Sequence, residues 1–368
     1  MRNLILAFDG TWDLPDNDLT DGDQNTHVAR LVRELKNVDS PIEQTVFYQA
    51  GVGTHPFDQI RGGLFGWGLS DKIFSGYRWL VDYFQKGDRI YLVGYSRGAF
   101  AARSLSGLLD RVGLLSQQHS ERIEEAYALY RRGDSRLQNA FSQRYSRRVS
   151  IEAVAVWDTV GSLGIPLKSF QGLNHRLWSF HDTRLAKSVK SGFHAIAIDE
   201  HRPDFKPTLW SPQRGYDQQY EQRWFAGSHA DVGGGNGLTP LSELSYRWIC
   251  ERLSHKGLTL VSTVEASRQL ACSHNTSPSD SFATFLGGTY DWFRDRHYRP
   301  IGTTPQGRES IDHSVFTLMD RCHYRPANTL GFYLQNTPQI KETLESSVVR
   351  LCDVTACQTP EQREILIP

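Results

Sequence analysis

The stretch that decides the fold is RIYLVGYSRGAFAARSLSGLL, residues 89–109. Its first six residues are mostly β-branched, aromatic or aliphatic, which is typical of a buried strand, and residues 98–109 have the apolar spacing of an amphipathic helix. Gly94-Tyr95-Ser96-Arg97-Gly98 joins the two. A turn this tight needs small residues at 94 and 98 and holds Ser96 in a strained conformation. The sequence therefore predicts a strand, a sharp turn that exposes the Ser96 hydroxyl, and a helix.

This arrangement is the nucleophile elbow of the α/β hydrolases, G-x-S-x-G between a strand and a helix. The bare motif occurs by chance in about one chain in ten of this length, so its flanks carry the prediction. The start of the helix adds partial positive charge where an oxyanion would form. Ser96 is the candidate nucleophile, and a structural Gly-Ser turn is the alternative.

Short apolar runs alternate with helical stretches over the first 255 residues, which indicates a mostly parallel central sheet with helices on both faces. From residue 256 this alternation fades, and residues 256–368 are expected to form a helical or irregular extension packed on the core, with lid or substrate-binding elements. The predicted strands are 4–8, 46–49, 89–94, 151–157, 194–198 and 223–226. The predicted helices are 25–35, 70–84, 98–109, 120–131, 135–144 and 241–253.

Composition excludes several classes of protein. The 41 basic and 41 acidic side chains cancel, and no basic-aromatic stripe is present, so no nucleic-acid partner is expected. The chain has five cysteines, an odd number, and none of them form a C-x-x-C pair. This pattern favours a reducing compartment at synthesis. No signal peptide and no run of about 20 apolar residues is evident, so the chain is expected to be cytoplasmic at synthesis, with only peripheral membrane contact. Neither a metal nor a cofactor is expected, since zinc, calcium and phosphate-loop patterns are missing.

A serine nucleophile needs a histidine base and a carboxylate that orients it. His229 is the best candidate for the base, because it follows the last predicted strand in the glycine-dense run RWFAGSHADVGGG. His194 is interpreted as a core or capping residue, and His201 as part of a charged loop. Asp158 and Asp199 both end predicted strands, and spacing alone leaves either of them open as the acid.

Five ordered motifs resemble a known family: FDGTW, GYSRGAFAAR, VWDTVGSLG, AIDEHRPDF and FAGSHADVGGG. Together they are similar to the catalytic domain of the bacterial type VI secretion lipase effectors, a branch of the α/β hydrolases. The resemblance implies a triad of Ser96, Asp158 and His229, with Asp199 as the alternative acid. It also implies esterase chemistry on glycerophospholipids through an acyl-enzyme, and it makes export by a secretion system an expectation.

The expected oxyanion donors are the backbone N–H groups of Arg97 and of Gly10 or Thr11 in FDGTW. Asp9 is interpreted as a brace for that loop, and Asp231 as a brace beside His229. The runs GGLFGWG (62–68) and FLGGTYDWF (285–293) are candidate apolar lids, or simply covers of the core. Two other functions stay open: hydrolysis of a non-lipid acyl substrate such as a thioester, amide or peptide, and an inactive binding protein. The sequence leaves the oligomeric state undecided.

Overall fold

The computed structural model describes residues 1–10, 25–51, 62–161, 184–211, 218–237, 239–260, 277–302, 308–322, 324–326 and 348–351. Its centre is an eight-stranded sheet. The strands are β1 (Asn3–Phe8), β2 (Gln44–Gln49), β3 (Arg89–Tyr95), β6 (Ile151–Trp157), β7 (Val189–Ala197), β8 (Gln219–Phe225), β9 (Glu309–Asp312) and β10 (Val348–Leu351). A separate antiparallel pair is formed by β4 (Leu114–Leu115) and β5 (Ser146–Arg147).

The strand order is β2-β1-β3-β6-β7-β8-β9-β10, and every neighbouring pair is parallel except β9 and β10. The chain runs from β1 to β2 on one side and then builds all later strands on the other side. The order therefore reverses between β1 and β3, and ligands of open α/β sheets bind at the carboxyl ends of strands at such a switch point. Ser96 follows β3 directly, so it lies at this point.

Helices cover both faces of the sheet, as the sequence predicted. They are α1 (His27–Asn37), α2 (Gly62–Tyr83), α3 (Arg97–Val112), α4 (Ile123–Arg132), α5 (Ser135–Tyr145), α6 (His229–Gly233), α7 (Pro240–His255), α8 (Ser281–Thr284) and α9 (His313–Arg321). Short 3₁₀ turns lie at Gln117–Arg122, Pro203–Phe205, Phe285–Gly288 and Tyr290–Trp292. The first residues of α1 and α7 show why they begin there: Thr26 and Thr239 accept hydrogen bonds from the first-turn amides, and Pro240 stands at the start of α7.

Alternation along the strands separates the two hydrophobic layers. In β1, Leu4, Leu6 and Phe8 pack with α2 and α3, whereas Ile5 and Ala7 pack with α1 and α7. Successive strand side chains point to opposite faces, so a strand buried on both faces must be apolar throughout. Residues 4–8 of β1 are apolar and fully buried, as expected for an inner strand that lies between β2 and β3.

The C-terminal third contributes more to the sheet than its sequence suggests. Strand β9 pairs with β8 in parallel, β10 pairs with β9 in antiparallel fashion, and α9 packs on that end of the sheet. These strands have only four residues each, and β9 reads Glu-Ser-Ile-Asp, too short and polar for a strand pattern. The division of the chain at residue 255 stays a prediction. Strand β7 begins at Val189, whereas the sequence predicted a start at 194. The prediction was late because Gly192 and the exposed Lys190 hide the apolar pattern at the start of the strand.

Candidate active site

The turn between β3 and α3 has the geometry that G-x-S-x-G predicts. Ser96 adopts φ 57° and ψ −122°, a left-handed conformation that costs a non-glycine residue about 1–3 kcal/mol. A Cβ on Gly98 would lie 2.1 Å from the carbonyl oxygen of Phe8, and one on Gly94 would lie 2.5 Å from the carbonyl oxygen of Gly98. Gly98 is therefore needed for the close approach of the turn to β1, and Gly94 for the close approach of β3 to the start of α3.

Ser96, His229 and Asp158 lie in one hydrogen-bonded line. The Ser96 hydroxyl is 2.8 Å from His229 Nε2, and His229 Nδ1 is 2.5 Å from Asp158 Oδ2. With the proton on Nδ1, the imidazole donates to the carboxylate and accepts from the serine. All three side chains are buried, so the line is shielded from bulk water. The arrangement could activate a serine for attack on an acyl carbon.

Asp158 is held in a second strained turn, directly after β6. Its φ is 37°, and among the described residues only Ser96, Asp158 and Arg308 combine a side chain with positive φ. Its amide donates to the carbonyl of Ala195, and its Oδ1 accepts from the amide of Ala197. Strain at such positions persists only where the surroundings impose it, and it clusters at functional sites. The neighbouring strand β7 thus fixes the backbone of Asp158 through one contact and its carboxylate through the other.

Arg299 is the main residue that the sequence analysis missed. Its guanidinium, 0% exposed, contacts both oxygens of Asp158, at 2.6 Å to Oδ1 and 3.0 Å to Oδ2. It also donates to the carbonyls of Ala197 (2.7 Å) and Phe205 (2.5 Å). A forked guanidinium against a buried carboxylate is a strong, directional contact. Asp158 therefore has two side-chain partners at once, the guanidinium of Arg299 and the Nδ1 of His229.

Burial and neighbouring charges have opposing effects on the pKa values of Asp158 and His229. Burial alone would raise the pKa of Asp158, but the charge of Arg299 and the contacts of His229 hold it well below its usual range. Burial lowers the pKa of His229, and the hydrogen bond and charge of Asp158 oppose that shift only in part. At neutral pH the site therefore holds an ionised carboxylate beside a neutral imidazole, the state that a general base requires.

Packing fixes the His229 ring. The ring lies 4.7 Å from that of Tyr95 and 5.1 Å from that of Phe205, measured between centroids. The Tyr95 hydroxyl donates to the carbonyl of His229. A Cβ on Gly233 would lie 1.9 Å from the Tyr95 ring, so a glycine is required for this contact. The glycine-dense run after β8 thus brings the imidazole down onto the elbow.

A buried ion pair braces the same loop. Glu200 Oε2 accepts from the amide of His229 at 3.3 Å, and the carboxylate also accepts from the guanidinium of Arg202 and from the Ser281 hydroxyl. The charge of Arg202 lowers the pKa of Glu200 to about 2 although burial opposes it. This brace lies in AIDEHRPDF, a motif from which the sequence analysis took only Asp199 as a candidate.

Asp199 does not contact His229. It accepts from the amide of Gly227 at 2.7 Å and from the hydroxyl of Tyr324 at 2.9 and 2.7 Å. Burial raises its pKa to about 6. Asp231 accepts from the amides of Ser228 and Ser279, in the loop that carries His229. The structure thus brings Asp158 to the histidine and leaves Asp199 and Asp231 in loop-bracing positions.

The other histidines considered lie elsewhere. His194 is fully buried, its Nε2 accepts from the amide of Thr159, and burial lowers its pKa to about 3. It supports the turn that holds Asp158. His201 is half-buried beside Tyr298, with ring centroids 5.0 Å apart. Neither ring reaches Ser96.

The loop after β1 is closed by Asp9. Its Oδ1 accepts from the amide of Gly10 at 2.7 Å, and its Oδ2 accepts from the hydroxyls of Thr26 and Tyr48. The Gly10 amide, an expected oxyanion donor, is thus engaged within its own loop, although Gly10 lies against Tyr95 and Ser96. Thr11 lies outside the described residues. Arg97, the other expected donor, is the first residue of α3.

A buried lysine lies behind this loop. Lys72 Nζ donates to the carbonyl of Asp9 at 2.6 Å, and burial lowers its pKa to about 8. Burial likewise lowers the pKa of the Arg97 guanidinium, to about 10. Sequence analysis missed Lys72, because a lone lysine in a helix usually faces solvent.

Other expectations concern ligands and lids. Over the described ranges, no group of three or more His, Cys, Asp or Glu side chains could hold a metal ion. In the same part of the chain, no helix is long and apolar enough to cross a membrane. The side chains of 62–68, one candidate lid, lie outside the description, although the backbone there begins α2. Residues 285–293, the other candidate, form two 3₁₀ turns.

Relatives of this chain are found by sequence and by structure. It is 33% identical over 240 residues to uncharacterized protein YEL023C of Saccharomyces cerevisiae, covering 57% of this chain and 33% of the yeast protein. Among solved structures, an uncharacterized protein from Pseudomonas aeruginosa aligns with TM-score 0.42 and 18% identity, over 80% of this chain and 51% of that one. The Tle1 effector bound to the VgrG spike of the type 6 secretion system aligns with TM-score 0.38 and 17% identity, over 65% and 52%.

This chain spans about a third of the yeast relative and about half of each solved chain. Residues 2–252 match the model of a family described as type VI secretion system phospholipase effector Tle1-like, catalytic domain. That range contains Ser96, Asp158 and His229, and it ends before Arg299. The chain belongs to the Tle1-like phospholipase effector family, through its catalytic domain.

Proposed function

We propose that this protein is a serine hydrolase that cleaves acyl esters of glycerophospholipids. The observation that carries the proposal is the line from Ser96 Oγ through the His229 ring to Asp158, with contacts of 2.8 and 2.5 Å. The line stands at the switch point of the sheet, where ligands of such folds bind. Family membership supports a lipid ester as the substrate class.

The reaction follows from the positions of these atoms. His229 Nε2 takes the proton of Ser96 as Oγ attacks the ester carbonyl carbon, and the resulting imidazolium is stabilised by Asp158. The tetrahedral intermediate collapses when the C–O bond to the leaving alcohol breaks and His229 returns the proton to that oxygen. An acyl-enzyme on Ser96 remains. Water, deprotonated by His229, then attacks it and releases the fatty acid and free serine.

Charge on the intermediate must be neutralised by backbone donors. The amide of Arg97 is the first candidate, since it stands at the N-terminus of α3, where the helix dipole is positive. The Gly10 amide could contribute only if its bond to Asp9 is shared or released when substrate binds. Asp9 then acts on the reaction through the conformation of this loop.

We assign Arg299 as a positioning residue for Asp158. It touches both carboxylate oxygens and two backbone carbonyls, so it fixes the plane in which Asp158 meets His229. Its charge also partly neutralises the carboxylate. A less negative carboxylate stabilises imidazolium less, which favours a neutral His229 in the resting enzyme.

The test is product analysis by mass spectrometry with mixed phospholipids and a soluble short-chain ester. Wild type is compared with Ser96→Ala, which removes the nucleophile and leaves the turn intact. We expect fatty acid and lysophospholipid from wild type alone. Cleavage of the short ester without lipid products would indicate a non-lipid acyl substrate. If wild type releases no product from either substrate and a fluorophosphonate does not label Ser96, an inactive binding protein is favoured.

A further inference from the structure

Large apolar side chains are exposed in one short segment beside the active site. Trp292 and Phe293 are each 75% exposed, and Tyr298 is 46% exposed. In the described part of the chain, half of all exposed large apolar side chains fall within residues 292–298. Single exposed apolar residues are ordinary, but adjacent large rings that project into water mark a contact surface. We call residues 285–299 the rim segment.

The rim segment is anchored to the site at its first end by a chain of aromatic contacts. The Phe205 ring packs on His229 at 5.1 Å, the Phe285 ring packs on Phe205 at 6.0 Å, and Tyr290 packs on Phe285 at 5.1 Å. The Tyr290 hydroxyl also donates to Asp204 at 2.6 Å. The exposed pair follows Tyr290 by two and three residues, so it stands in a segment that this chain of aromatic contacts connects to His229.

The last residue of the rim segment is Arg299, whose guanidinium is buried on Asp158. Both ends are thus fixed within the site, and only the stretch between them projects. Because its ends are held, the segment can present Trp292 and Phe293 in one orientation without an ordering cost at the moment of contact.

The charges of the rim segment indicate which surface it fits. Arg294 lies 3.7 Å from Asp204, and Arg296 lies 2.5 Å from Asp280, so both arginines of the segment are paired with carboxylates. Residues 290–298 contain two aspartates and two arginines, and the partners Asp204 and Asp280 make this four aspartates against two arginines, so the group has no excess positive charge. Paired charges of both signs complement a zwitterionic headgroup, which has one phosphate and one ammonium. A strongly anionic surface would need excess positive charge.

We propose that Trp292 and Phe293 insert into the interfacial layer of a zwitterionic phospholipid bilayer and hold the side of the protein that carries the rim segment against it. Indole and phenyl rings favour this layer, where the apolar ring is buried while polar groups stay hydrated. The proposal rests on the proposed function in one respect: the lipid ester must reach the site from the surface that is bound. Binding depends on ring burial, so it is independent of ionic strength.

Binding is measured by co-sedimentation with phosphatidylcholine vesicles, in the Ser96→Ala background so that no lipid is consumed. The test variant is Trp292→Ala/Phe293→Ala. The matched control is Tyr83→Ala/Leu137→Ala, which removes two other exposed apolar side chains. Tyr83 precedes the N-terminal end of β3, at the sheet edge opposite Ser96. Turnover of dissolved p-nitrophenyl butyrate is measured separately with Ser96 intact.

We expect the test variant to bind vesicles at least about tenfold more weakly and the control to bind like its parent. The parent should bind equally from about 0.1 M to about 0.5 M NaCl, because ring burial is not screened. Dissolved-ester turnover should stay within about twofold of wild type, since neither ring touches the triad.

Several outcomes would overturn the proposal: no vesicle binding by the parent, equal loss in the control, or binding that disappears at high salt. A parent dimer that becomes monomeric in the test variant, seen by light scattering, would identify a second copy as the occupant instead. Failure of the proposed function has a different signature: wild type would cleave no ester, while the loss of vesicle binding in the test variant would stand.

Discussion

Replacing Arg299 separates a role in positioning Asp158 from a role in folding alone. Arg299→Lys keeps a positive charge near the carboxylate but cannot span both of its oxygens, because an ammonium is a point donor and not a planar fork. Arg299→Met removes the charge and keeps much of the volume. The lysine variant is the informative one, and the methionine variant gives the upper limit.

The structure sets the size of each effect. Removing one partner of a buried ion pair costs about 3–5 kcal/mol, a large part of the 5–15 kcal/mol by which native proteins are typically stable. Arg299→Met also deprives the carbonyls of Ala197 and Phe205 of their donor. Arg299→Lys should cost about 1–2 kcal/mol, as one or two hydrogen bonds are lost.

The kcat of the Arg299 variants should fall by more than their loss of folding stability explains. Loss of carboxylate function in a triad lowers kcat by about 10⁴, which bounds any effect that acts through Asp158. A misplaced but ionised Asp158 should lower kcat by about 10–100-fold in Arg299→Lys. KM should change little, because the guanidinium is fully buried on Asp158 and two backbone carbonyls and has no exposed surface to offer a substrate.

The pH profile distinguishes the two roles. The acid limb of kcat/KM reports protonation of the free-enzyme base, His229. In Arg299→Lys the ammonium cannot span both oxygens of Asp158 and neutralises the carboxylate less than the guanidinium does. The carboxylate then stabilises the imidazolium more, so the pKa of His229 rises and the acid limb moves to higher pH. The assay is kcat/KM on a dissolved ester from pH 4 to 8, with melting temperature alongside. A lysine variant with lowered melting temperature but unchanged kcat and acid limb would refute the positioning role.

The other predictions concern the triad, the elbow and proton binding. Asp158→Asn should lower kcat by about 10⁴ by disfavouring the productive tautomer of His229; near-normal rates in purified Asp158→Asn, with Asp199→Asn crippled, would contradict the assignment. Gly98→Ala should destabilise the fold by about 2–3 kcal/mol in urea titrations, since its Cβ meets the Phe8 carbonyl at 2.1 Å. In wild type the acid limb of kcat/KM should lie below pH 6.5, because burial lowers the pKa of His229; a limb above 6.5 would count against it.

One prediction concerns stability and pH. The folded-state pKa of Asp199 is raised to about 6 by burial, so its neutral form is favoured in the native protein. Its contribution to stability is present below pH 3.8 and is lost as the pH rises through 6. Between pH 5 and 7 the melting temperature of wild type should fall relative to Asp199→Asn. Parallel curves of melting temperature against pH for the two proteins would show that the pKa of Asp199 is not raised.

The parts of the site closest to strand ends were the easiest to predict from sequence. Ser96 follows an apolar strand in a motif whose glycines have a steric reason, and His229 follows β8 in a glycine-dense loop. Asp158 and Asp199 were both predicted at strand ends. Spacing left either of them open, and the family resemblance favoured Asp158. In the structure, the register of β6 against β7 sets Trp157 beside Ala195, and Asp158 after it contacts His229.

Residues that act over long sequence separations were not predictable. Arg299 lies in an irregular segment, and a lone arginine there has the pattern of a surface residue. Its burial depends on Asp158, 141 residues earlier in the chain. Strand β9 was missed for a similar reason: Glu309 is buried because it accepts from the Trp224 indole, a partner that local periodicity does not reveal.

The order in which the chain is synthesised gives Arg299 a further consequence. Ser96, Asp158 and His229 leave the ribosome first, and the counter-charge of Asp158 follows after 70 more residues beyond His229. A nascent chain that ends before residue 299 therefore carries a deeply placed carboxylate with no guanidinium to neutralise it. The site reaches its final electrostatic state only after residue 299 has been made, which is later than the synthesis of Ser96, Asp158 and His229 alone would allow.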